Sequence, residues 1–186
     1  MRSQILILSV VLLLIFAGSA KSQISIGYSV LSLDTSDSHD LSGIETRFRF
    51  PLNQSRGGIL TNFAFNVGYY NNGDAFDDPV WNLLTGTLGL ELATHERLGD
   101  SRVFLRPSIS GGGTFAFYKS RVRRLSTFFE EDEDAFGWIG QVGAVLGIEG
   151  NENMGVEVSY GLHGIDFNEE ADGTHQQFYI GLFLGF

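Results

Sequence analysis

Between Gln177 and Phe186, five apolar residues stand at every second position: Phe178, Ile180, Leu182, Leu184 and Phe186. A repeat of two is the spacing of one face of a β-strand. A stripe of this kind at the end of a chain needs apolar surroundings, which a barrel in a bilayer provides because lipid solvates its outer face. Upstream, the same alternation recurs. Beyond the first 20 residues no apolar run approaches the roughly 20 residues that a membrane-crossing helix requires. The pattern predicts an all-β chain that crosses with strands.

Eight strands are expected. They cover Gln23 to Leu33, Leu41 to Pro51, Gly58 to Tyr70, Trp81 to Ala93, Arg102 to Tyr118, Phe136 to Glu149, Met154 to Phe167 and the terminal stripe. Each is long enough for a tilted crossing of about 9–11 residues. Turns are expected at Leu52 to Gly57, Thr94 to Ser101 and Gly150 to Asn153. Longer polar connections are expected at Asp34 to Asp40, Asn71 to Pro79, Lys119 to Ala135 and Asn168 to His175. An even strand number with alternating long and short connections predicts an eight-stranded antiparallel up-and-down transmembrane β-barrel, both termini on the short-turn, periplasmic side.

The first residues read as a cleavable leader. Arg2 supplies a positive start, Ile5 to Ala17 is an apolar run, and small residues follow from Gly18 to Ala20. A run of this length suits a signal peptide better than a membrane anchor. Cleavage after Ser22 divides the chain into a signal peptide, 1–22, and a barrel, 23–186; cleavage after Ala20 is the alternative. Removal of Arg2 and Lys21 takes the formal charge from −10 to −12. So acidic a chain is not expected to bind nucleic acid. With no cysteine there is neither a disulfide framework nor a lipidation site.

Alternation alone does not separate a membrane barrel from a soluble one that buries its apolar face. The other face decides. It carries Glu45, Arg47, Arg49, Glu91, Arg106, Glu149 and Glu157 among Gly, Ser, Thr and Asn. Mixed charges and small residues suit a narrow lumen in which ions pair. An eight-stranded barrel is filled by its own side chains, so this network is expected to act as a structural plug, with Phe183 turned inward beside it. Trp81 and Trp138, where strands leave an outer connection, fit an interfacial girdle.

On these residues the whole mature chain resembles the small eight-stranded outer-membrane barrels of the OmpA and OmpX type. The resemblance is carried by the leader and by the last strand, Tyr179 to Phe186. It implies an assembly signal made by Tyr179, Leu182, Leu184 and Phe186 and read by the barrel-assembly machinery. It implies a bacterial outer-membrane location, and nothing about an activity.

Other chemistry is sparse. His163 lies on the inward face with Ser159 and Glu157, a grouping that invites an acyl-transfer reading, but its inward parity favours a lumen histidine. His39 and His175 fall in expected outer connections near Asp34, Asp37, Asp40 and Asp172, at no spacing that matches a metal template. Lys119, Arg121, Arg123 and Arg124 form a basic cluster at the outer rim. They are suited either to lipopolysaccharide phosphates or to pairing with Glu130 to Asp134. The expected role is non-enzymatic and without a cofactor: a barrel serving envelope structure or surface interactions, without an open pore. The alternatives are an outer-membrane lipid-modifying enzyme and a soluble secreted barrel with a small hydrophobic ligand.

Overall fold

The computed structural model describes residues 22–33, 39–54, 58–72, 80–124, 127–150, 153–167 and 171–185. The strands are β1 (Gln23–Leu33), β2 (His39–Gln54), β3 (Ile59–Asn71), β4 (Val80–Thr94), β5 (Glu96–Arg97), β6 (Val103–Arg124), β7 (Thr127–Ile148), β8 (Asn153–Phe167) and β9 (Ala171–Gly185). Every pairing is antiparallel. The order β4-β3-β2-β1-β9-β8-β7-β6 closes through β4–β6, which makes an eight-stranded barrel. The two-residue β5 is a spur on the outer edge of this count, paired only with Leu105 and Phe104 of β6. Residues 1–21, where a leader is expected, and Phe186 lie outside the described residues.

The terminal stripe closes the barrel against the first strand, with Ile26 opposite Leu182 and Gly27 opposite Gly181. The strands approach closely at this glycine pair: a Cβ on Gly27 would collide with the Ile180 carbonyl. Parity then assigns the faces. Ile26, Ile44, Leu88, Ile109, Val142 and Leu182 point outward and are exposed, whereas Ser25, Arg47, Thr114 and Tyr179 point inward and are buried. An exterior that is apolar all round is the inverse of a water-soluble barrel surface and matches a lipid-facing wall. Trp138 is exposed on it, its indole lying over Gly164 of the neighbouring strand. The side chain of Trp81 lies outside the described residues.

Inside, three layers stack along the axis. Leu31, Leu33, Leu41, Tyr70, Leu83, Ala116, Tyr118 and Ile165 form a buried apolar cluster beneath the β1–β2, β3–β4, β6–β7 and β8–β9 connections. Phe104, Val145 and Phe183 form a smaller one at the end that holds the termini. Charged and polar groups fill the middle. Phe183 is turned inward as its parity requires.

Four expectations need correction. The stretch 119–135 is not a loop: β6 runs on to Arg124 and β7 starts at Thr127, so two 22-residue strands meet in a tall hairpin. Its register sets Lys119 opposite Asp132 and Arg121 opposite Glu130. A register that sets opposite charges across from one another favours a ladder. Likewise β2 begins at His39 and β9 at Ala171, which shortens two expected connections. The Thr94–Ser101 turn holds β5 and closes at Gly99, which has φ of 65°. Glu149 is the fourth. β7 ends at Ile148, so Glu149 stands at the rim, bonded to His95 (Nε2–Oε1 2.8 Å) and Arg97.

Candidate functional site: a charge-balanced lumen

The inward positions of β2 put Glu45, Arg47 and Arg49 in one column, two residues apart, as the pleat dictates. Glu91 of β4, Arg106 of β6 and Glu157 of β8 face this column from across the barrel. All six are at most 5% exposed. Three carboxylates balance three guanidiniums, which is what burial in a water-poor interior demands.

The bonding is continuous. Arg47 donates from Nε to Glu45 (2.7 Å) and from Nη1 to Glu157 (3.0 Å) and Ser159 (2.7 Å). Arg49 donates from Nε to Glu91 (2.6 Å), from Nη1 to Ser25 (3.1 Å) and from Nη2 to Glu157 (2.5 Å). Glu91 also accepts from Arg106 Nη2 and Asn62 Nδ2, both at 2.9 Å. Arg106 reaches Gln23 as well. Glu157 therefore carries two guanidiniums and the Ser25 hydroxyl, and Glu91 carries two guanidiniums and an amide.

A neutral branch rises from Glu45 toward the loop end. Tyr70 donates to Glu45 Oε2 (2.7 Å), and Gln177 Nε2 donates to the same carboxylate and to the Tyr70 oxygen (2.6 Å). Gln177 Oε1 accepts from Gln141 Nε2 (2.8 Å) and from His163 Nε2 (2.9 Å). Because an amide oxygen only accepts, the bonding sets the His163 proton on Nε2. Ser159 bonds Arg47, and its hydroxyl forms no bond to His163. His175, read from sequence into an outer connection, is instead a buried residue of β9 directly opposite His163, its Nε2 3.3 Å from the Ile165 carbonyl. Among the described residues no group of three His, Asp or Glu side chains is placed to hold a metal ion.

Sequence parity thus brings together Glu45, Arg47, Arg49, Glu91, Arg106 and Glu157, and leaves Glu149 out. Gln177, Tyr70 and Asn62, which share that inward parity, join the network through hydrogen bonds that the charges alone did not indicate. Of the terminal residues, Leu182 and Leu184 face outward and Tyr179 inward, so they do not share a face; Phe186 is outside the described residues. For Lys119, Arg121, Arg123 and Arg124 the backbone register places Arg123 opposite Phe128 and Arg124 opposite Thr127.

No family model matches the chain, and no curated protein matches it. Solved structures do. Neisserial surface protein A aligns with a TM-score of 0.59 at 14% identity, over 89% of this chain and 97% of that one. Ail, the attachment invasion locus protein of Yersinia pestis, aligns with a TM-score of 0.54 at 14% identity, over 90% and 99%. A second Ail structure, in complex with the heparin analogue sucrose octasulfate, gives 0.56 at 15% identity, over 89% and 98%. At such identities the likeness is one of fold: this chain has the architecture of the small eight-stranded outer-membrane barrels.

Proposed function

We propose that the chain is a non-enzymatic integral protein of a bacterial outer membrane, with both termini in the periplasm and its four longer connections at the cell surface. The observation that carries this reading is the pairing of an apolar exterior with a charge-balanced, filled interior. The exterior suits lipid, and among the described residues the six buried charges of the lumen balance, which supports a filled, structural interior. Ser159 and His163 each serve the plug, which supports a structural role over acyl transfer. The short turns β2–β3, β4–β6 and β7–β8 share an end with the termini, the arrangement expected of a periplasmic face.

The partners follow from place. Outer-membrane lipid covers the wall. Arg123 and Arg124, with no acid opposite them in the register, are assigned to lipopolysaccharide phosphates, and Lys119 and Arg121 to the hairpin's own acids. The seam strand β9 engages the barrel-assembly machinery during insertion. Membrane fractionation combined with gel migration before and after boiling tests the proposal. Recovery in the outer-membrane fraction, with faster migration of the unboiled protein, is expected. Soluble material whose migration boiling does not change would overturn it.

A further inference from the structure

At the end that holds the termini, the turn between β5 and β6 and the start of the turn between β7 and β8 enclose an open cleft of about 610 Å³, lined by Arg97, Asp100, Ser101, Arg102, Glu149 and Gly150. The first turn is braced from within. Gly99 takes the positive φ that reverses the chain. Leu98 N donates to the Val103 carbonyl (2.9 Å), and Ser101 Oγ donates to the Leu98 carbonyl (2.6 Å) while accepting from Val103 N (3.2 Å). The second turn is tied to the first by Glu149 N, which donates to the Arg102 carbonyl (2.7 Å). The charges that line the cleft fall into two sets. Glu149 is engaged by His95 and Arg97. Asp100 and Arg102 are exposed, and among the described residues neither side chain has a hydrogen-bond or ion-pair partner.

An unmatched anion and an unmatched cation two residues apart suit a ligand that carries both charges. A lone anion would pair with Arg102 but face Asp100, and a lone cation would do the reverse. The neighbouring wall adds a further requirement. Leu98, Ile148 and Met154 are exposed apolar side chains. The register sets Val103 opposite Ile148 and Ile148 opposite Met154, so the apolar row ends at the cleft, one residue before Glu149. A ligand with a zwitterionic head and an apolar tail matches both. We propose that the cleft binds the headgroup of an ethanolamine phospholipid. Arg102 donates its planar fork to the phosphodiester, Asp100 accepts from the primary ammonium, and the acyl chains lie along Leu98, Ile148 and Met154. A choline headgroup carries the same charges but has no N–H to donate, and a glycerol headgroup lacks the cation. The inference rests on the proposed membrane placement, which supplies the lipid.

The test is native mass spectrometry of the full barrel in detergent with an equimolar mixture of phosphatidylethanolamine, phosphatidylcholine and phosphatidylglycerol of the same acyl chains. The ethanolamine lipid should be retained over each of the others by about two- to fivefold, the range of an exposed ion pair. Arg102→Ala should lower retention of the ethanolamine lipid. Asp100→Asn should abolish its preference over phosphatidylglycerol, which keeps the phosphate and lacks the ammonium. Both side chains are exposed and without partners, so neither change should alter the heat-modifiable migration of the barrel. Soluble glycerophosphoethanolamine at the same concentration should not displace the lipid; full displacement would overturn the lipid as the source of the headgroup. Equal retention of the three lipids, or a preference that survives both substitutions, would overturn the site. Either result in a barrel that still fractionates with the outer membrane would leave the membrane placement standing.

Discussion

The guanidinium carbon of Arg47 lies 3.7 Å from the centre of the Tyr179 ring. The ring can lie under it because Tyr179 folds along its own strand, over Gly181, instead of reaching across the lumen. A desolvated cation–π contact of this kind contributes about 2 kcal/mol. It also covers one side of the cation that bridges Glu45 to Glu157. The seam strand and the charge network are thus coupled through one ring.

Gly181→Ala should break that coupling. A Cβ at this position meets the Tyr179 hydroxyl and ring and the Ile26 carbonyl. The ring must move, and overpacking of this sort costs about 1–3 kcal/mol. The temperature at which the unboiled gel band converts to the unfolded one should fall. Gly86→Ala, where an added Cβ meets nothing within 4 Å, should leave it in place. Equal behaviour of the two variants would remove the Tyr179–Gly181 packing from the account.

Glu91 and Arg106 should show strong coupling. Arg106→Ala leaves Glu91 with one guanidinium, and Glu91→Gln leaves two guanidiniums short of a carboxylate. Breaking a buried pair from one side costs about 3–5 kcal/mol, because the other charge stays behind. The double variant should therefore be less destabilised than the sum of the singles, by about 0.5–3 kcal/mol. Denaturant midpoints of the four proteins give the cycle. Additive losses would mean that water solvates both side chains.

Glu149 gives a pH signature at the rim. Hydrogen bonds from His95 and then Arg97 hold its carboxyl below its ordinary value of 4.5. A carboxyl lowered in the folded state favours folding fully above the unfolded value, and that contribution is lost as pH falls through the lower folded value. Glu149→Gln should thus lower the denaturant midpoint at about pH 7. The gap to the unmodified protein should narrow as pH drops below 4.5. A gap constant across that window would show that the bonds to His95 and Arg97 do not depend on the charge.

The wall and its two faces were legible because alternation is strict wherever lipid lies on one side. What parity could not show was where strands end. Glu149 has the inward parity of Gln141 and Val145, yet β7 stops one residue before it. The tall β6–β7 hairpin was hidden for the opposite reason. Its sequence is charged and lacks apolar alternation, so its strands read as a polar loop, and only the cross-strand register reveals the ladder. The apolar cap was available in principle. Leu31 and Leu33 continue the inward series Ser25, Gly27, Ser29, but a polar lumen is not where apolar residues are sought.

Neighbouring residues on β9 offer the sharpest test of which face is which. Phe183 is 2% exposed, packed edge-on to Phe104 at 6.4 Å, with the Arg106 guanidinium 5.7 Å from its ring. Leu182, one residue away, is 64% exposed on the wall. Phe183→Ala opens a cavity that a closed interior cannot fill, at a cost of about 3–5 kcal/mol. Leu182→Ala opens none, because lipid chains close around the shortened side chain. Its cost should therefore fall well below that of Phe183→Ala. Urea titrations of barrels refolded in lipid vesicles would compare them directly. Equal costs, or a larger loss at Leu182, would place the tightly packed side of β9 outside the barrel and contradict the filled lumen.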